Sequence, residues 1–191
     1  MADNFREHYA DEMQRALDPY AHALTTIDTL HRLTHDGFVY HVSRKVTGMV
    51  NANVDDYLIS IPAGVSPHFQ RLQITAGEGD VDMLVYEGTT TSADGTVVDS
   101  LNVNRNSTNT ASSVLSTAPT VTDEGTLIHT QWVPPSASGV GQSPQGVIGE
   151  TNGEEWVMKP STKYLIRITN NSGSTIDYRY ELLWYEIGYE Q

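Results

Sequence analysis

Cysteine is absent from this sequence of 191 residues. Its absence excludes disulfides, zinc–thiolate sites, iron–sulfur clusters and cysteine nucleophiles, because each of these needs a thiol. A chain of this length can bury about 70% of its surface on folding, so it needs neither a disulfide nor a metal to hold its core. The missing thiols fit a protein that matures in a reducing compartment.

Basic residues are scarce, with 11 lysines and arginines against 24 aspartates and glutamates and a formal net charge of -13. Nucleic acids are bound chiefly by cationic side chains that displace counterions from the phosphates. Anionic membrane surfaces attract the same side chains. The composition therefore predicts that the protein binds neither nucleic acid nor a membrane. It is typical either of simple solubility or of attraction to a basic partner.

Long apolar runs are also missing. No segment reaches the roughly 20 consecutive apolar residues that a membrane-spanning helix needs. The first residues, MADNFRE, do not show a basic stretch followed by an apolar one, which is the pattern of an export signal. We therefore expect a soluble protein that stays in the compartment where it is made.

Residues 1–36 have the hydrophobic spacing of helices. Four large side chains recur every four residues and share one helix face: Phe5, Tyr9, Met13 and Leu17. Pro19 would end this helix, because the residue before a proline avoids helical angles. A second helix is predicted at about 26–34, with Gly37 stopping it. The apolar stripe either packs on the protein's own domain or docks on a neighbouring subunit.

From residue 37 onward the hydrophobic period changes to two, which is the spacing of strands. Nine short runs rich in β-branched and aromatic residues are bounded by turn residues. They lie at 38–46, 57–61, 69–74, 81–86, 96–103, 126–133, 155–158, 164–169 and 177–185. With no helix between them, they predict a mainly β protein, an antiparallel β-sandwich or jelly roll over 37–191 with 1–36 as an N-terminal helical arm. A fibronectin-like sandwich is the nearest alternative.

Turn residues separate several of these runs. The turns at 76–80 and 170–174 are predicted to link hairpins, and the Asp94-Gly95 pair tolerates the positive φ of a tight turn. Two stretches are irregular: 102–110 is rich in asparagine and threonine, and 134–153 is rich in glycine, proline and serine. Long loops are often functional or mobile, so both are candidate contact loops.

No combination of residues matches a catalytic motif. The serine-containing loops lack a nucleophile elbow, and the glycines at 77–79 lack the spacing of a phosphate-binding loop. His31 and His35 share a helix face, but a metal would need a third convergent ligand. The aspartates match no calcium-binding loop. We therefore predict a protein that is not an enzyme, with no catalytic residue, no metal site and no cofactor.

The last run is apolar on both faces. One face carries Tyr178, Tyr180, Leu182 and Trp184, and the other carries Leu183 and Tyr185. This pattern predicts a strand that is buried on both sides, and a partner is one candidate for the second cover. The strand aromatics also allow a glycan-binding platform, in which Trp132 and Trp156 act together with the asparagine-rich stretch.

Four segments of the second half form an ordered series. They are Asn104-Arg105-Asn106-Ser107, the segment PTVTDEGTL at 119–127, the segment EWVMKPSTKYLIRITN at 155–170, and Trp184-Tyr185-Glu186. Together they resemble a family of small tailed-bacteriophage virion proteins that are usually encoded among head genes. The similarity covers roughly residues 74–186, so the N-terminal arm lies outside it.

The resemblance implies a capsid-associated structural protein, such as a head decoration (cement) protein that stabilises the capsid. It would be made in the host cytoplasm and end on the capsid surface. Its partners would be the major capsid protein or neighbouring virion proteins, and it would be a homo-oligomer, a dimer or a trimer. The candidate partner-binding residues are Phe5, Tyr9, Met13 and Leu17 of the arm and Asn104, Arg105 and Asn106 of the irregular stretch.

Other functions stay open at this point. A fibre, a head–tail connector, or a glycan- or receptor-binding module of the virion would fit the same composition. A sugar-processing or other hydrolytic enzyme would need a carboxylate pair in a deep cleft, and the sequence gives no specific signal for one.

Overall fold

The computed structural model describes residues 29–76, 80–134, 145–148 and 155–188. Within these ranges the chain forms one helix, α1 (Thr29–Asp36), followed by fourteen strands. The strands are β1 (Val39–Met49), β2 (Val54–Ser60), β3 (Val65–Ala76), β4 (Val81–Glu87), β5 (Thr90–Ala93), β6 (Thr96–Val98), β7 (Leu101–Asn102), β8 (Val114–Thr117), β9 (Thr120–Asp123), β10 (Thr126–Val133), β11 (Gln145–Ile148), β12 (Trp156–Val157), β13 (Lys163–Asn170) and β14 (Ile176–Gly188).

The strands build two six-stranded sheets and a two-stranded ribbon. Sheet 1 has the order β11-β3-β14-β1-β7, and β12 also pairs with β3. Sheet 2 has the order β10-β4-β13-β2-β8-β6, and β5 with β9 forms the ribbon. All of these pairs are antiparallel. The prediction of a mainly β antiparallel sandwich is confirmed.

The chain alternates between the two sheets along its main strands. β1, β3, β12 and β14 lie in sheet 1, whereas β2, β4, β10 and β13 lie in sheet 2. Among these eight strands, only β4 and β10 are consecutive and share a sheet, where they pair directly. Such steady crossing is the connectivity of a jelly roll and not of a fibronectin-like sandwich, whose strands stay longer in one sheet.

This alternation overturns the two predicted hairpins. The turn at 76–80 joins β3 of sheet 1 to β4 of sheet 2, and the turn at 170–174 joins β13 of sheet 2 to β14 of sheet 1. Turn residues between two alternating runs show that the chain reverses there. They do not show whether the second strand pairs with the first or crosses to the opposite sheet, because packing of the two apolar faces decides that.

The main core lies between the two sheets. The Trp184 ring of β14 stacks on Phe69 of β3, with ring centroids 5.4 Å apart. From sheet 2, Met83 and Ile168 are packed into the same cluster and are almost fully buried. One of the two apolar faces predicted for β14 lies in this core, where Tyr178, Tyr180, Leu182 and Trp184 are all buried. Burial of this apolar surface supplies most of the stability of the fold.

The sequence analysis did not predict several of the short strands. β5, β8, β9 and β11 were not predicted, and the predicted run at 96–103 is two strands, β6 in sheet 2 and β7 in sheet 1. These segments have two to four residues each. They are too short to show a period of two, and their partners stabilise them.

Helix α1 covers one end of the outer face of sheet 1, where β1 begins and β14 ends. Leu33 is buried in a second small cluster with Val39 and Tyr185, and Leu30 and Leu183 pack against it. The second face of β14 is therefore covered by the chain itself. The predicted stop at Gly37 is confirmed, because Gly37 has φ of +78° and its N–H donates to the carbonyl of Thr34 at 3.1 Å.

The ribbon covers the outer face of sheet 2. Leu58 and Leu165 are fully buried, yet both lie outside the core cluster between the sheets. On β13, Leu165 lies between two cations that reach the loops flanking the ribbon strands. Lys163 Nζ lies 2.5 Å from Asp94 Oδ1, and Arg167 bonds Glu124. The ribbon therefore lies across these leucines and covers the middle of this face.

Candidate functional site

The asparagine-rich stretch, 102–110, lies beside the C-terminal end of α1. Asn104 Nδ2 donates to the carbonyl of His35 at 2.8 Å. Asn102 Nδ2 and Asn109 Nδ2 both donate to the carbonyl of Gly37, at 2.8 Å and 3.2 Å. The last carbonyls of a helix have no partner within the helix, so these side chains satisfy them. We call this set, Asn102, Asn104 and Asn109, the asparagine clasp.

The three predicted contact residues of this stretch have unequal surroundings. Asn104 is half-buried and belongs to the asparagine clasp. Arg105 is exposed, and its Nη1 donates to the carbonyl of Asn102 at 3.3 Å. Asn106 is exposed, and its backbone N–H donates to Asn104 Oδ1 at 3.1 Å. Asn104 thus holds the helix in place, and partner binding by Arg105 and Asn106 stays a prediction.

The predicted contact residues of the arm, Phe5, Tyr9, Met13 and Leu17, lie outside the described residues. The described end of the arm, α1, packs on the domain through Leu33. His31 and His35 are exposed on this helix, with their Nε2 atoms 3.1 Å apart. In the ranges that the structure describes, no three histidine, aspartate or glutamate side chains converge as metal ligands would.

A cluster of titratable groups lies on the outer face of sheet 1, around Glu155. His68 Nδ1 lies 2.9 Å from Glu155 Oε1, and the Tyr185 hydroxyl donates to Glu155 Oε2 at 2.8 Å. Gln70 Nε2 also donates to Glu155. Burial alone would raise the pKa of Glu155, but the hydrogen bonds from His68 and Tyr185 outweigh it and leave the pKa below its usual value. An ionised carboxylate with three donors ties the start of β12 to β3 and β14 and is poorly suited to donate a proton.

Arg167 is the centre of the polar contacts on sheet 2. Its Nε and Nη2 donate to the two carboxylate oxygens of Asp56 at 2.8 Å and 2.9 Å, and its Nη1 donates to Glu124. The hydrogen bonds that Arg167 donates to Asp56 raise the pKa of Arg167 further above its already high value. A bidentate pair of this kind fixes geometry as well as charge. Arg167 therefore joins the sheet to the end of the ribbon.

A groove of about 470 Å³ lies between the asparagine-rich stretch and the ends of β1, β3 and β14. Its lining includes Phe38, Tyr40 and the carboxylate of Glu186. The volume is within the range of small-molecule sites. However, Glu186 accepts hydrogen bonds from the backbone of Ser112 at 2.7 Å and of Ser113 at 2.9 Å. Its carboxylate thus ties a loop to β14.

The β10 edge, Thr126–Val133, has a different character. β10 is the outermost strand of sheet 2 and pairs with β4 on one side. Its sequence, TLIHTQWV, contains no charged residue. Leu127 is 49% exposed, Ile128 38% and Trp132 54%. Clusters of exposed apolar side chains in a soluble protein mark contact surfaces.

The remaining described edges of the two sheets are short. β6, β7, β11 and β12 have between two and four residues, whereas β10 has eight. Proteins protect sheet edges from unwanted pairing with short strands, charges, prolines or bulges. β10 uses one of these devices, a bulge at Ile128, which lies at one end of the strand. We therefore take the β10 edge as the candidate functional site.

The sequence predicted β10 as a strand but not as an edge. A single sequence does not show which strand has a neighbour on only one side. It did contain a usable signal, namely eight residues without a charge in a chain with a net charge of -13. The structure also separates the two tryptophans of the predicted glycan platform. Trp132 is exposed at the edge, whereas Trp156 is half-buried against His129 with ring centroids 5.3 Å apart.

No protein-family model matches the chain, and no curated protein is similar to it in sequence. In the part of the chain that the structure describes, no helix has both the length and the apolar character to cross a bilayer. The features of the molecule that bear on its function are therefore the jelly roll, the residues that join its parts, and the β10 edge.

Proposed function

We propose that this protein is a structural component of a tailed-phage virion that acts by binding other protein subunits, with the β10 edge as a contact surface. The observation that carries the proposal is the exposed apolar outer side of this strand: eight residues without charge, with Leu127 and Trp132 about half exposed. An edge of this length offers unpaired backbone N–H and C=O groups to another chain. A protein that is only soluble gains nothing from leaving it open.

The rest of the molecule forms a closed body around this edge. α1 covers the end of the outer face of sheet 1 that carries Val39 and Tyr185, and the ribbon covers the middle of the outer face of sheet 2. The polar clusters around Glu155, Arg167 and Glu186 join one segment to another. A body of this kind suits a protein whose role is to hold a surface in a fixed geometry.

The motifs that resemble tailed-phage virion proteins lie mostly at the joints of this fold. Asn104 belongs to the asparagine clasp, Glu124 and Arg167 form one ion pair, and Glu155 and Glu186 accept the hydrogen bonds described above. The resemblance therefore supports a shared jelly roll and, through it, a shared place in the virion. Head decoration on the capsid surface is the specific role that we propose, with the major capsid protein or a neighbouring virion protein as partner.

The test is to find the protein on a particle and then to remove the contact. Virions of the phage that encodes this chain are purified and labelled with an antibody against it. We expect label on the head. Virions depleted of the protein should then bind the added wild-type chain, and the Trp132→Lys variant should bind at least about tenfold more weakly. The Val97→Lys variant is the matched control, since Val97 is a 62% exposed apolar residue on β6, at the opposite edge of sheet 2.

Two results would contradict the proposal. Absence of the protein from the purified virions would reject its proposed place in the particle. Equal binding of the Trp132→Lys and Val97→Lys variants would reject the β10 edge as the contact surface.

A glycan-binding module is a second candidate because of one observation. Trp132 presents an exposed ring that is held in place by a hydrogen bond from its Nε1 to Asp80 Oδ1 at 2.6 Å. An oriented aromatic ring beside a carboxylate is a common sugar platform. Binding on a glycan array that is lost with Trp132→Ala and kept with Trp156→Ala would favour this function over subunit contact.

A further inference from the structure

We infer that the β10 edge pairs with the β10 edge of a second copy of this chain, antiparallel, about a two-fold axis that passes beside Thr130. The inference rests on the proposed function, because it names one partner for the same surface. It follows from three properties of the strand: its register, its lack of charge and its position at the end of sheet 2.

The register follows from the bulge. Leu127 pairs with Tyr86 and His129 pairs with Val85, so Ile128 is an extra residue. The bulge therefore places Leu127 on the same outer face as Thr130 and Trp132, although Leu127 is three and five positions away from them, and an odd difference would put it on the opposite face of a regular strand.

In an antiparallel pair of copies, apolar side chains can then lie opposite apolar side chains. When Thr130 lies opposite Thr130 of the second copy, Leu127 lies opposite Trp132 of the second copy, and Trp132 lies opposite its Leu127. Aromatic–aliphatic and threonine–threonine pairs across antiparallel strands are among the favourable ones. The two exposed apolar side chains of each copy thus cover each other, which no other antiparallel register of this strand achieves for both.

The charges of the molecule favour a copy over a different partner. A chain with a net charge of -13 repels its own copy, and charges within the contact would add to that repulsion. β10 adds none, since none of its eight residues is charged, and the carboxylates nearest to Trp132, Asp80 and Asp82, lie outside the strand. A partner selected by charge, such as a basic protein, would find no acidic residue within the strand.

The backbone completes the argument. β10 uses one side of its backbone for β4, and within the described residues no strand pairs with its other side, although β11 of sheet 1 runs close to it. Pairing with a second copy would join the two copies of sheet 2 into one continuous sheet. One edge strand buries much less than the roughly 800 Å² per partner of a standard interface, so we expect a dimer that depends on concentration.

The first experiment uses the absence of cysteine. Single-cysteine variants of the full chain, Thr130→Cys and Val97→Cys, are oxidised under mild conditions and analysed on non-reducing gels. Opposed residues of antiparallel strands have Cα atoms about 4.5–5.5 Å apart, which a disulfide can bridge. We expect Thr130→Cys to form a covalent dimer at least about tenfold faster than Val97→Cys. Equal rates for the two variants would overturn the inference.

The second experiment measures the mass in solution. Light scattering on the wild-type chain should show a rise towards twice the 21.1 kDa of one chain as concentration increases. Trp132→Lys and Leu127→Lys should each weaken the dimer at least about tenfold, whereas Val97→Lys should not. A monomer at all concentrations, or a dimer that both β10 variants leave unchanged, would overturn the inference.

The two proposals fail separately. If the antibody detects the chain on virions but the chain never dimerises, the self-pairing is rejected and the structural role is kept. A chain that dimerises through β10 but is absent from virions keeps the self-pairing and rejects the virion role.

Discussion

The middle and the edge of sheet 2 both carry large apolar side chains on the outer face, and the protein treats them in opposite ways. Leu58 and Leu165 in the middle are fully buried beneath the ribbon. Leu127 and Trp132 at the β10 edge are 49% and 54% exposed. Burying a leucine is worth about 1.5–3 kcal/mol, so leaving the edge open forgoes a similar amount in the single chain.

This contrast shows that the exposure of the edge is local, because the middle of the same outer face is covered. The same stretch of chain that supplies the ribbon, between β4 and β10, also extends sheet 2 with β6 and β8 on its opposite side. The segment between β4 and β10 can therefore reach outer surfaces of the molecule, and in this fold its ribbon covers the middle of sheet 2. The four predictions below test the difference between the covered region and the open one.

The largest effect should come from removing a covered side chain. Leu165→Ala should lower the free energy of unfolding by about 3 kcal/mol, because it leaves a cavity between sheet 2 and the ribbon. Leu127→Ala, the same change at the open edge, should stay within about 0.5 kcal/mol. Urea unfolding at a concentration too low for dimers measures both. Equal losses would show that the ribbon does not cover Leu165.

The next effect should come from the attachment of the ribbon. Gly95 has φ of +87°, and a Cβ there would lie 2.1 Å from the carbonyl oxygen of Thr117, so Gly95→Ala should cost at least about 2 kcal/mol. Gly88 is the matched control, because it has φ of +81° but no atom within 4 Å of such a Cβ. Gly88→Ala should cost about 1 kcal/mol, for the backbone conformation alone. Thermal or urea unfolding would show whether the close approach at Gly95 matters.

The asparagine clasp should have a moderate effect. Asn102 is 7% exposed and donates to the carbonyls of Gly37 and Asn109, so Asn102→Ala should cost about 1.5 kcal/mol. Hydrogen exchange of the α1 amides should also become faster, because the helix loses part of its attachment. Asn106→Ala should change the free energy of unfolding by less than about 0.5 kcal/mol.

The same pair of variants sorts the predicted contact residues. If Asn106→Ala weakens binding to virions without any change in stability, the exposed part of the asparagine-rich stretch is a contact in addition to the β10 edge. If Asn106→Ala binds like the wild type, the stretch serves the fold.

The smallest effect should be a pH dependence at the open edge. Burial lowers the pKa of His129 below its usual value of 6.5. Because the folded state binds the proton less readily than the unfolded state, this contribution is fully present above about pH 6.5 and is lost as the pH falls through the lowered pKa. Stability should therefore drop as the pH falls below about 6.5, and less so in His129→Gln.

Urea midpoints above and below that pH measure this difference. The pKa of His41 is lowered as well, by burial first and then by Arg71 and Arg179, so part of the drop should remain in the His129→Gln variant. A midpoint that falls equally in the wild type and in His129→Gln would show that His129 is not the group responsible.

Much of the fold could be predicted because long strands carry their own signal. The inner residues Tyr178 to Trp184 of β14 alternate with outer ones, and the structure places the inner ones in the core. The stop at Gly37 was also readable, since only a residue tolerant of positive φ fits there. The short strand β5 was not readable, because four residues, TTSA, have no apolar period and are held by β9.

The candidate site was only half readable. The sequence showed that 126–133 is an uncharged strand, but it placed the contacts on the arm and on 104–106. Whether a strand is an edge depends on how many neighbours it has, and that number depends on pairings between residues far apart in the chain. The sequence also did not show that Asn104 bonds the end of α1, because an asparagine that caps a distant helix has the same sequence context as one on a free loop. Partner binding by Asn104 stays a prediction.

The sequence by itself determined that this chain makes a β body without disulfides, and where most of its strands lie, because hydrophobic period and turn residues act locally. The tertiary structure alone decided which strands pair, which faces are covered and which edge is left open. Those outcomes depend on the competition of all strands and segments for the same apolar surfaces, and no single stretch of sequence contains that competition.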